Sequence, residues 1–97
     1  MVYEIVWTRQ AEIRFLEVSE YLISEWSFKE LQDFYFALEK NLDALVAYPY
    51  SFRISSGNAN REALITSHNL LVYKVENNQI ILLTIWDTRM NPQKRKY

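Results

Sequence analysis

Apolar positions along the chain change their period, and each period predicts a different element. Val2, Ile5 and Val6, with Tyr3 and Trp7, form a short β-prone run that predicts an opening strand buried on both faces. Ala11, Phe15, Val18, Leu22 and Trp26 then recur at helical spacing, one stripe of a helix that Thr8 is placed to cap. Glu12, Glu17, Glu20 and Glu25 lie mostly off that stripe, so the helix is amphipathic. Ser27-Phe28-Lys29-Glu30 reads as a capping box, in which the serine takes an orphan N–H and the glutamate reaches back to the cap. Leu31, Phe34, Tyr35, Leu38, Leu42 and Leu45 carry the second helix until Tyr48-Pro49 stops it. Two helices joined this tightly predict an antiparallel hairpin.

Beyond Pro49 the period is that of strands. Phe52-Arg53-Ile54 is a short, weak strand, followed by the polar loop 55–60. Arg61 to Thr66 predicts a strand, Ser67-His68-Asn69 a turn, and Leu70 to Val75 the next strand. Glu76-Asn77-Asn78-Gln79 is rich in turn formers. Ile80 to Trp86 is nearly all apolar, as a central strand covered on both faces should be. The pattern predicts an α+β fold of order β-α-α-β-β-β(-β). The sheet would be an antiparallel meander with the helical hairpin on one face, its other face partly open and bearing Arg and Tyr.

Composition narrows this picture. The 97 residues suit one domain, 1–97, and 49% hydrophobic with 15% aromatic content is enough to build its core. With no cysteine, a disulfide framework and a thiolate metal site are excluded, and a lone histidine makes a catalytic zinc a poor expectation. The only glycine is Gly57, so no glycine-rich phosphate loop exists. No cofactor and no metal are expected. No apolar run approaches the roughly 20 residues of a membrane helix, and the N-terminus does not read as a signal peptide, so a soluble, cytoplasmic protein is expected.

The net charge of -1 hides an asymmetry. Residues 1–52 hold four bases against nine acids, whereas residues 53–97 hold seven bases against three, with a basic tail over about 93–97. A basic half suggests an anionic partner, nucleic acid or acidic peptide; a solvated tail is the plainer reading.

Two stretches, taken with the element order, carry a likeness. One runs from Arg61-Glu62-Ala63-Leu64-Ile65 through His68-Asn69 to Leu70-Leu71-Val72-Tyr73-Lys74-Val75. The other is Ile80-Ile81-Leu82-Leu83-Thr84-Ile85-Trp86-Asp87-Thr88-Arg89-Met90-Asn91-Pro92. With them the chain resembles the RelE/ParE toxin superfamily over nearly its whole length. The resemblance implies the toxin of a type II toxin–antitoxin system, of the kind linked to plasmid stabilization and growth inhibition, silenced by a cognate antitoxin. RelE-like members are endoribonucleases that cut mRNA on the ribosome; ParE-like members inhibit DNA gyrase without catalysis. A family member that only binds antitoxin is a third reading, and a homodimer through exposed apolar surface is a further expectation.

RNA cleavage needs a base for the 2′-OH, an acid for the leaving oxygen, and cations for the phosphorane. Arg61 and Arg89 match the family's recurrent arginines, and an Arg fork grips phosphate oxygens bidentately. The plainer role for each is an ion pair with Glu62 or Asp87. His68 suits acid–base work by its ordinary pKa, although an exposed turn is its simpler setting. Tyr97 ends the tail where some relatives place a catalytic or stacking tyrosine. Arg53, Tyr73, Lys94 and Arg95 complete the candidates, as residues that would bind substrate or antitoxin. Tyr73 reads equally as core. Relatives with a lysine pair ahead of the Arg61 position differ here, where the preceding segment offers only Arg53.

Overall fold

A computed structural model describes residues 3–54 and 60–90. The elements run β1 (Glu4–Trp7), α1 (Arg9–Glu25), α2 (Phe28–Ala47), β2 (Arg53–Ile54), β3 (Arg61–Leu64), β4 (Asn69–Glu76) and β5 (Gln79–Asp87). One five-stranded sheet has the order β1-β5-β4-β3-β2. Strands β2 to β5 form the antiparallel meander that the pattern predicts. β1 adds a parallel pairing to β5, from Glu4 opposite Gln79 to Trp7 opposite Leu82. It is therefore an edge strand and only half-buried, not buried on both faces as its apolar sequence suggests.

Each helix begins at the residue its sequence marks. Thr8 Oγ accepts from the Ala11 N–H at 3.1 Å and donates to the Leu82 carbonyl at 2.7 Å, so one hydroxyl caps α1 and pins it to β5. Ser27 Oγ accepts from the Glu30 N–H at 3.1 Å. The Glu30 carboxylate, which the capping box would turn back to the cap, lies 3.6 Å from the Arg89 guanidinium. The α1 stripe is buried at Ala11, Val18 and Leu22, but Trp26 is the C-cap residue and is 52% exposed. Its backbone has left helical geometry there, so the period no longer aims it at the core.

β4 and β5 join through Asn77-Asn78, with Asn77 at φ 56°. A two-residue hairpin needs that left-handed conformation, and asparagine tolerates it well. Between Val72 and Tyr73 the register slips by one, because β5 carries the extra residue Leu83. The core lies between the hairpin and one face of the sheet. There Val18, Leu22, Phe34, Leu38 and Leu45 pack against Leu71, Tyr73, Ile80, Leu82 and Ile85.

Register corrects one expectation. Arg61 pairs with Tyr73 and Ala63 with Leu71, so period-2 alternation puts Arg61 and Tyr73 on the helix-covered face. The second face carries buried Leu70, Val72 and Thr84 beside exposed Leu64 and partly exposed Lys74, so it is partly open but does not present Arg61 or Tyr73. Among the described residues, no helix is long and apolar enough to cross a membrane.

Candidate functional site

Two arginine-centred clusters stand four residues apart along β4, at Tyr73 and at Asn69. The first surrounds Arg61 at the start of β3. Its Nη1 donates to the Phe52 carbonyl at 2.8 Å and to that of Tyr50 at 3.3 Å, while the guanidinium lies 5.1 Å from the centre of the Tyr50 ring. Beside it the buried Tyr73 hydroxyl donates to the Pro49 carbonyl at 2.7 Å. Burial pushes the Tyr73 phenol up to about 12, against a smaller downward pull from the Arg61 charge. Together these bonds fasten the chain between α2 and β2 onto the sheet.

The second cluster surrounds Arg89, just past β5. Arg89 Nε and Nη2 donate to Asp87 Oδ1 and Oδ2 at 2.9 and 2.8 Å, a bidentate fork. The Arg89 backbone N–H also reaches Asp87 Oδ1 at 2.9 Å. Asn69 Nδ2 donates to Asp87 Oδ2 at 2.8 Å, and Thr66 Oγ1 donates to Asn69 Oδ1 at 2.7 Å. On the helix side the guanidinium lies 4.5 Å from the centre of the Trp26 ring. The Trp26 indole N–H donates to the Tyr21 hydroxyl at 3.1 Å, and that hydroxyl donates to the Arg89 carbonyl at 3.3 Å. Arg89 therefore ties the end of the sheet to the tip of the helical hairpin.

The electrostatics agree with that geometry. Burial would push the Asp87 carboxyl up, but hydrogen bonds from Arg89 and Asn69, with the Arg89 charge, outweigh it and hold it below the usual carboxylate value. Arg89 is raised by its hydrogen bond to Asp87, more than burial lowers it. Both groups are ionised at neutral pH.

The expected site residues are not brought together. The Asn69–Asp87 and Tyr73–Arg61 levels are four residues apart on β4, about 13 Å at strand rise, and each guanidinium is turned to partners of its own rather than towards the other. His68 sits in the exposed turn at the Arg89 end, where its carbonyl accepts from the Thr88 N–H at 2.8 Å. Arg53 is placed by its backbone, opposite Glu62. Lys94, Arg95 and Tyr97 lie outside the described residues. No group of three or more His, Cys, Asp or Glu side chains that could hold a metal ion occurs among the described residues.

Sequence reasoning named Asp87 only as a possible partner of Arg89 and missed Tyr21, Trp26, Glu30, Thr66 and Asn69. The Asp-x-Arg spacing after a strand was the one local signal. The other contacts come from helices and turns far away in sequence.

No protein-family model matches the chain, and no curated protein matches it in sequence. Solved structures do. A chain of a chromosomal ParDE TA system from P. aeruginosa superposes with a TM-score of 0.66 at 21% identity, covering 88% of this chain and 95% of that one. A copper-bound mutant toxin from Helicobacter pylori gives a TM-score of 0.58 at 17% identity, covering 92% of this chain and 97% of the other. Order of elements, sheet topology and these likenesses agree: the chain has the RelE/ParE-like toxin fold.

Proposed function

We propose that this chain is the toxin of a type II toxin–antitoxin system, held silent in the cytoplasm by a protein antitoxin. In this reading all 97 residues form one toxin domain that acts by binding its target, as ParE-like proteins act on DNA gyrase. The fold likeness to a ParDE chain supports the toxin reading. One observation supports binding over RNA cleavage. The two arginines that would grip a scissile phosphate are held at strand levels about 13 Å apart, and each is committed to partners within the fold. Arg89 carries a bidentate carboxylate, and Arg61 holds two backbone carbonyls. Neither cluster brings His68 to an arginine side chain among the described residues.

Induced expression tests this, with growth, mRNA integrity and DNA integrity followed together. Growth arrest with intact mRNA and damaged DNA is the expected result. Codon-positioned mRNA cuts would overturn it in favour of a ribosome-dependent endoribonuclease. No arrest would reduce the function to antitoxin binding.

A further inference from the structure

The helical side of the molecule holds an apolar groove on the outer edge of the core. Trp7 of β1 meets Phe15 of α1 edge-on, with ring centres 5.6 Å apart, and Phe15 stacks on Tyr35 of α2 at 5.4 Å. Leu38 and Leu42 continue the floor along α2. Two adjoining depressions of about 440 and 210 Å³ share Trp7 and Phe15. Leu16, 59% exposed, stands at one wall, and Ile23, 46% exposed, follows two turns along the same side of α1. Leu16 and Ile23 add nothing to the packed core, and an exposed apolar path of this kind marks a binding surface.

Acid lines the rim. Glu12 of α1 and Glu39 of α2 flank the depressions. The ion pairs among the described residues engage Glu17, Asp33, Glu76, Glu30 and Asp87 and leave both rim glutamates out. The whole of residues 1–52 is acidic, with nine acids against four bases. A second copy of the chain docking here about a twofold axis would set acidic helix against acidic helix. An acidic peptide would meet the same repulsion.

We propose that this groove receives a cationic amphipathic segment of a protein partner, with Leu or Phe on its floor and Lys or Arg reaching Glu12 and Glu39. Long basic side chains suit both demands, since their stems cover apolar surface while their heads stay at the rim. The inference rests on the toxin reading in one respect: the partner is then the antitoxin. It adds that the antitoxin segment on the helices is basic, whereas any segment on the basic half would be acidic.

The test uses the full chain and a fluorescein-labelled amphipathic peptide of Leu and Lys, about 14 residues or four helical turns long. A matched peptide carries Glu in place of Lys. Fluorescence anisotropy at low ionic strength should show binding of the Lys peptide alone. Leu16→Asp and the double variant Glu12→Lys/Glu39→Lys should each weaken it about tenfold or more. Phe28→Asp, altering a side chain 62% exposed outside the groove, should leave it unchanged. Equal binding of the two peptides, or indifference to Leu16→Asp, overturns the proposal. Binding by a chain that fails to arrest growth would keep the groove and remove the toxin reading. Growth arrest by a chain that ignores the Lys peptide would do the reverse.

Discussion

Replacing Arg89 with alanine strands a carboxylate inside the protein. The Asp87 side chain is 0% exposed and that of Arg89 only 15%, so the pair is buried and its loss is not screened by solvent. Three of the four hydrogen bonds to Asp87 come from Arg89; the variant keeps the one from its backbone N–H and the one from Asn69. Removing one partner of such a pair costs about 3–5 kcal/mol, because the other charge stays desolvated. Loss of the Trp26 stacking adds about 0.5–1 kcal/mol at that half-exposed ring. The Glu30 contact at 3.6 Å adds little, since Glu30 is 42% exposed. A net loss of about 4 kcal/mol is a fall of roughly 16–32 °C in Tm for a chain this size. Urea unfolding followed by tryptophan fluorescence reads it directly. Adding Asp87→Asn should recover part of the loss, since the stranded charge is then gone. A cost below about 1 kcal/mol for Arg89→Ala, or no recovery in the double variant, would refute the view that this pair is a structural tie. The result also governs how activity is read, because a toxin silenced by Arg89→Ala is unfolded in part before it is a dead catalyst.

The same pair sets a pH dependence. The folded Asp87 pKa lies below its unfolded value, so its contribution is complete above about pH 4 and is lost as pH falls through the folded value. Urea midpoints between neutral pH and pH 3 should drop more steeply for the native chain than for Asp87→Asn, and parallel slopes would remove Asp87 from the account. At the alkaline end, Tyr73 titrates at about 12 when folded and near 10 when unfolded, so stability should hold below about pH 10 and fall from there towards 12. Tyr73→Phe should flatten that fall and, by leaving the Pro49 carbonyl without its donor, cost about 1–3 kcal/mol at neutral pH; an alkaline limb unchanged in the variant would show that other groups cause it.

Much of the fold can be read from local patterns because its local and global preferences agree. Thr8 and Ser27 cap the helices they precede, Asn77 supplies the left-handed turn, and the apolar run at 80–86 is the strand flanked on both edges. The parallel pairing of β1 with β5 was not legible. Its partner residues are about 75 positions apart, and no turn chemistry links them. An apolar edge strand also looks like a central one when only its own residues are seen. Trp26 misled for a related reason: helical periodicity runs past the helix end, while the side chain goes where the cap sends it.

The candidate site was legible in its residue types and not in its geometry. Arg61 and Arg89 are recognisable because a guanidinium near a strand end is uncommon enough to notice, but strand parity and register decide which face each serves. One step of register places Arg61 beside Tyr73 under the helices; the same alternation puts Val72 and Thr84 on the opposite face. Arg89 escapes that alternation by lying beyond the strand, free to fold back on Asp87 and reach the hairpin tip at Trp26 and Glu30. An arginine held this way is costly to recruit for a phosphate, since leaving Asp87 would expose the fold to the same buried charge that Arg89→Ala creates. A surface used for binding has no such conflict. Leu16, Ile23, Glu12 and Glu39 carry none of the core, so the helical groove can change its partner without changing its fold.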